Sequence, residues 1–122
     1  MVYFYPRDYT PGCTLEACGF RDRHEAFREA GATVVGVSGD RPERHRSFVS
    51  EHGLPFTLLS DLRGEARRAY GVKRVFGVLP ERVTFVVDPR GIVRHVFSSQ
   101  IRARRHIEEA LAGLERIAGA SA

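Results

Sequence analysis

The chain has 122 residues, 43% of them hydrophobic and 28% charged, which is the size and composition of one globular domain over residues 1–122. No apolar run approaches the roughly 20 residues of a membrane span, so no membrane partner is expected. The net charge of +4 comes from basic residues scattered among Glu and Asp, with Lys73 the only lysine, and this mixed pattern argues against nucleic acid as a partner.

Met1–Tyr5 is short, aromatic and β-branched and reads as a strand ending at Pro6. No secretory signal precedes it, so a cytoplasmic location is expected. Thr10-Pro11 is a helix start, with a hydroxyl at N-cap and proline where its missing N–H costs nothing. That helix is predicted to continue through Phe20 and Phe27 to Ala30, with Gly31 as its stop. Ala32–Ser38 is a continuous apolar run, as in a strand buried on both faces of a parallel sheet. Strand, helix and strand then form a right-handed crossover.

Asp40 and Pro42 open a second helix that carries Phe48 and ends before Gly53. Leu54–Leu59 reads as a short strand. Asp61 is placed to cap a helix running to Tyr70, with Gly71 as its stop. Residues 72–81, with Gly77 and Pro80, read as loop. Arg82–Asp88 and Ile92–Phe97 form a hairpin around Pro89-Arg90-Gly91. A last helix is predicted over Arg102–Ile117, followed by a frayed tail from Gly119. Without the inserted strand and helix of residues 54–71, the order is that of a thioredoxin-like fold.

Both cysteines lie between Tyr5 and the middle of the first helix. Cys13 falls at the third helical position, where free N–H groups and the positive end of the helix dipole favour an anion. An ordinary thiol has a pKa of about 8.5, and lowering it by about two units takes roughly 2.7 kcal/mol. A helix start supplies at most about 2 kcal/mol. A cation from elsewhere in the chain must therefore complete a thiolate site. Cys18 follows five residues later. On a continuous helix the two Cα atoms are roughly 8–9 Å apart, beyond the roughly 7 Å that a disulfide spans. Pairing them requires the helix to unwind locally. The five histidines are dispersed, and the cysteine spacing fits neither a usual zinc site nor a Cys-x-x-Cys oxidoreductase.

Pro6, Thr10 and Cys13 match the P-x-x-x-T-x-x-C signature of peroxiredoxins. The run from Phe4 to Cys18 resembles the peroxiredoxin Q, or bacterioferritin comigratory protein, group. Gly36-Val-Ser38, Gly53-Leu-Pro-Phe56, Leu58-Leu-Ser-Asp61, Tyr70-Gly-Val72 and Arg82-Val-Thr-Phe85 extend the resemblance over nearly the whole chain. It implies a thioredoxin-like three-layer α/β/α fold with a mixed central sheet and a β-α insertion. Members usually carry an N-terminal hairpin and short helix before the first strand. Their absence here predicts exposed apolar surface and poor solubility or unusual association.

The resemblance further implies a thiol peroxidase that reduces hydrogen peroxide and organic hydroperoxides with no metal or organic cofactor. Cys13 is the implied peroxidatic nucleophile, and Cys18 the resolving cysteine that forms an intramolecular disulfide with it. A thioredoxin-like dithiol is the implied reductant, acting on a monomer or weak dimer. Thr10 orients the peroxide or the sulfur, and Pro6 shields the pocket. Arg82 is the implied cation, at the near end of a strand that neighbours the first one. Arginine suits that role because its fork holds both sulfur and peroxide oxygen. Glu16, one turn after Cys13, braces Arg82. Two other readings use the same residues: a non-enzymatic redox sensor, and an inactive fragment of such an enzyme.

Overall fold

The computed structural model describes residues 1–75, 79–99 and 102–121. Its elements are β1 (Val2–Phe4), α1 (Pro11–Asp22), α2 (His24–Glu29), β2 (Val35–Ser38), α3 (Pro42–His52), β3 (Thr57–Ser60), α4 (Glu65–Ala69), β4 (Arg74–Val75), β5 (Leu79–Pro80), β6 (Val83–Val87), β7 (Val93–Ser98) and α5 (Ala103–Ser121). Five strands form a mixed sheet in the order β3-β2-β1-β6-β7. β1 runs parallel to β2 and antiparallel to β6, and β6 is antiparallel to β7. This is the thioredoxin-like arrangement, with β3 and α4 as the insertion.

Alternation along the strands assigns the two faces. Tyr3 and Tyr5 of the first strand segment join Val86 of β6 beneath α1, α2, α3 and α5, together with Phe20, Phe27, Phe48 and Ile107. Phe4, Val83 and Phe85 point to the other face, where Val72 and Ala66 cover them. The same period of two puts Arg82 and Thr84 on the Val86 face. In the register Tyr3 lies opposite Thr84 and Phe4 opposite Val83, so the strand delivers Arg82 beside Tyr5, next to the start of α1.

Gly36 shows how closely the sheet is packed. A Cβ there would sit 2.6 Å from Leu58 Cδ2 and 2.8 Å from Tyr3 Cζ.

Several expected boundaries move. The helix from Thr10 to Ala30 is two helices, broken at Arg23 (φ −104°, ψ 14°). The second strand begins at Val35 rather than Ala32, and the third spans Thr57–Ser60. Asp61 does cap α4, but from a turn four residues ahead of it. Its carboxylate accepts the N–H groups of Ala66 and Arg67, and Gly64 turns the chain with φ 70°. Residues 72–81 hold a small ribbon, Arg74 opposite Pro80 and Val75 opposite Leu79, while Gly77 lies outside the described residues. α5 extends through Ser121, past the expected end at Ile117. Gly53, by contrast, ends α3 in the left-handed conformation, as anticipated.

Candidate active site

Cys13 is buried, at 1% exposure, in the first turn of α1. Thr10 holds the N-cap position with Pro11 following, as expected. Its hydroxyl does not cap the helix. It donates instead to the Arg7 carbonyl at 2.9 Å, so no side chain covers the first-turn N–H groups. Left without a side-chain acceptor, those donors favour an anion at the start of the helix that carries Cys13. The preceding residue, Tyr9, has φ 68°, a strained conformation for a bulky side chain. Its ring meets Phe48 edge-on and carries the Arg44 guanidinium 5.0 Å above it.

Arg82 arrives from β6 at 4% exposure. Its Nη1 donates to Glu16 Oε1 at 2.8 Å, a contact closed to solvent. Burial opposes the charge of Arg82, but Glu16 and Cys13 outweigh it and raise its pKa, each by charge and by hydrogen bonding. The expected trio of Cys13, Arg82 and Glu16 is therefore brought together. A Cβ on Gly12 would lie 2.8 Å from Arg82 Nη2, so the guanidinium rests against the bare backbone of the helix start.

Glu16 is fully buried, and burial pushes its carboxyl up to about 8 against the opposing attraction of Arg82. Behind it stands His106 of α5, also fully buried, whose Nδ1 is 3.5 Å from Glu16 Oε2. His106 Nε2 faces the Ser99 carbonyl at 2.9 Å and Nδ1 faces the Thr84 hydroxyl at 2.7 Å. Burial lowers His106 to about 4. Sequence reasoning did not single out His106 or Thr84. The alternation that places Arg82 also places Thr84, but no local pattern links His106 to it.

Pro6 ends the first strand segment and lines a cleft of about 560 Å³ with Phe4, Arg7, Val37, Asp40 and Arg44. That cleft has neither Cys13 nor Arg82 in its lining. Nearby, Asp8 accepts from the Tyr5 hydroxyl at 2.6 Å and meets His45 Nδ1 at 2.6 Å, all three side chains being buried. Asp8, Asp40 and His45 are the one group of possible metal ligands found among the described residues. Their oxygens are already engaged. Asp40 accepts from Ser38, from the Asp8 N–H and from Arg44. The cluster reads as a clamp that fixes the loop between β1 and α1.

Cys18 is half-buried and both cysteines are free thiols. Its sulfur lies 3.8 Å from His52 Nδ1, at the end of α3, and it lines a cleft between α1 and α5 with Leu15, Gly19 and Ile107. Cys13 and Cys18 share one unbroken helix, so the geometric bar to a direct disulfide holds in this reduced form.

Comparisons with known proteins agree with this geometry. The AhpC/TSA family pattern matches residues 1–96. The chain is 48% identical over 118 residues to a chloroplastic peroxiredoxin Q of Populus jackii, covering 96% of this chain and 55% of that protein. It is 49% identical over 118 residues to the chloroplastic peroxiredoxin Q of Sedum lineare, covering 96% and 63%. The chain thus spans a little over half the length of these curated relatives. Among solved structures, peroxidoxin BcpB from Mycobacterium tuberculosis superposes with a TM-score of 0.88 at 40% identity, covering 95% of this chain and 77% of that one. The bacterioferritin comigratory protein of Xanthomonas campestris superposes with a TM-score of 0.87 at 36% identity, covering 96% and 78%. A buried cysteine at a helix start, an arginine from the neighbouring strand and this sheet order coincide with that kinship: the chain belongs to the AhpC/TSA family, in its peroxiredoxin Q branch.

Proposed function

We propose that the protein is a thiol-dependent peroxidase in which Cys13 is the peroxidatic nucleophile. The observation that carries this reading is the buried Cys13–Arg82–Glu16 constellation at an uncapped helix start. The Cys13 thiolate attacks the terminal oxygen of a hydroperoxide. A sulfur–oxygen bond forms, the O–O bond breaks, and the leaving oxygen takes up a proton to depart as water or alcohol. Arg82 and the first-turn N–H groups stabilise the negative charge as it passes from sulfur to the leaving oxygen. Glu16 braces the guanidinium. Thr10 orients the peroxide, and Pro6 shields the pocket at the end of the first strand.

Cys18 then attacks the sulfenic sulfur, expelling water and closing a Cys13–Cys18 disulfide after α1 unwinds. A dithiol protein of the thioredoxin type returns the pair to thiols. Hydrogen peroxide and organic hydroperoxides are the substrates this reading assigns. The Xanthomonas campestris relative is described by its alkyl peroxide reduction activity, which favours the organic class. A cytoplasmic setting is proposed, where a thioredoxin system keeps Cys18 reduced between turnovers.

Titration with hydrogen peroxide, followed by mass spectrometry of the intact chain, tests the reading. One disulfide per chain, formed stoichiometrically and lost on replacing Cys13 with serine, is the expected result. Retained peroxide turnover in Cys13→Ser would sink the assignment.

A further inference from the structure

The carboxyl of Glu16 does more than brace Arg82. Its two oxygens have unlike surroundings. Oε1 accepts from Arg82 at 2.8 Å, whereas Oε2 is buried with no hydrogen-bond partner among the described residues. His106 Nδ1 lies 3.5 Å from Oε2. The Ser99 carbonyl can only accept, so His106 Nε2 carries the ring hydrogen and donates to it at 2.9 Å. A neutral imidazole then leaves Nδ1 as an acceptor, turned toward the Thr84 hydroxyl at 2.7 Å. An ionised Glu16 would thus hold an anionic oxygen against a lone pair in the interior. A protonated Oε2 faces an acceptor instead.

The cation in front of Glu16 is shared. Arg82 interacts with both Cys13 and Glu16, and one guanidinium balances one anion. The other ionisable group coupled to Glu16 is Tyr3 of β1, a neutral phenol whose pKa burial raises well above its usual value. The titratable groups placed around the carboxyl are Arg82 from β6, His106 from α5 and the phenol of Tyr3 from β1, with Cys13 on its own helix reaching it through Arg82.

Resting on the reading of Cys13 as the peroxidatic cysteine, we propose that Glu16 is protonated while Cys13 is thiolate and gives up its proton as the sulfur is oxidised, acting through Arg82 to keep the buried site neutral. Before reaction the site holds a thiolate, a guanidinium and a carboxylic acid. The thiolate attacks the terminal oxygen of the peroxide, loses two electrons to it and becomes a neutral sulfenic acid. Arg82 then no longer faces a thiolate, and Glu16 ionises to replace that charge. One proton leaves the carboxyl, and one proton is taken up by the departing hydroxide or alkoxide. The site begins and ends with zero net charge. Glu16 is thus a charge-compensating residue behind Arg82, and His106 is the positioning residue that denies Oε2 a donor.

Proton counting tests this. The reduced full chain carrying Cys18→Ala, which holds oxidation at the sulfenic acid, is mixed with one equivalent of hydrogen peroxide at pH 7. Weakly buffered solution with an indicator dye reports proton uptake in a stopped-flow instrument. With Glu16 present, uptake per sulfenic acid is expected to be close to zero. With Glu16→Gln added, it rises to one proton, because the amide mimics the acid but cannot ionise. Equal uptake in the two proteins overturns the inference. No sulfenic acid by mass in the Glu16 protein overturns the peroxidase reading and this inference with it. Should the glutamine variant not fold, infrared difference spectra of the Glu16 protein decide: loss of a protonated carboxyl band on oxidation is expected, and no loss overturns the proposal.

Discussion

Replacing Glu16 with glutamine is predicted to change how stability depends on pH, independently of any effect on turnover. In the folded protein burial holds the carboxyl at about 8, against an ordinary value of 4.5 once the chain unfolds. Across that window the folded state keeps a proton that the unfolded state has released. Stability therefore falls as pH rises from about 4.5 to about 8 and levels off beyond. At 1.36 kcal/mol per unit the full loss is about 5 kcal/mol. His106 works in the opposite sense. It is neutral in the fold, lowered by burial to about 4, and charges near 6.5 when unfolded, so stability rises with pH over that range by about 3 kcal/mol. The two nearly offset each other below pH 6.5. Between pH 6.5 and 8 the carboxyl is expected to lower the stability of the Glu16 protein relative to Glu16→Gln by about 2 kcal/mol. Urea denaturation of the reduced protein at intervals from pH 5 to 8.5 measures it. The Glu16→Gln curve is expected to lack the fall. Curves that run parallel for the two proteins would refute the reasoning. Cys13→Ser, which hands Arg82 wholly to Glu16, should move the fall to lower pH.

Three further outcomes are expected. Arg82→Met removes the only cation held against Cys13 among the described contacts and should slow peroxide reduction by two or more orders of magnitude, read by stopped-flow with hydrogen peroxide. Cys18→Ala should still react once with peroxide but stop at the sulfenic acid, with thioredoxin-dependent turnover lost; normal cycling with thioredoxin would refute the resolving role. Gly36→Ala inserts a methyl group 2.6 Å from Leu58 and 2.8 Å from Tyr3, and should cost about 1–3 kcal/mol in chemical denaturation through overpacking.

What the sequence made legible was largely local chemistry and strong periodicity. Thr10, Pro11 and Cys13 announce a helix start within four residues, and Gly53 announces a helix end. Arg82 was reachable because strand alternation and the position of β6 beside β1 together point it at that start. The break at Arg23 was not legible, since no glycine or proline stands at it. The ribbon at Arg74–Pro80 escaped notice because two-residue strands have no period to detect. The Thr10 hydroxyl turns to Arg7 rather than into the helix, a choice made by a loop fixed through Asp8 and His45. His106 reaches the site only through the packing of α5 on α1 and β6, and sequence spacing carries no record of that.

The break at Arg23 has a mechanical meaning. α1 ends there, and α2, from His24, carries Phe27 into the core at 0% exposure. If oxidation melts the turns that hold Cys13 and Cys18 apart, the disturbance travels along α1 and meets a joint already bent. α2 is a helix separate from the segment that would come undone, and Phe27 anchors it in the core. In the proposed cycle the joint would work as a firebreak, letting the reactive helix be lost and regained while the second helix keeps its hold on the sheet.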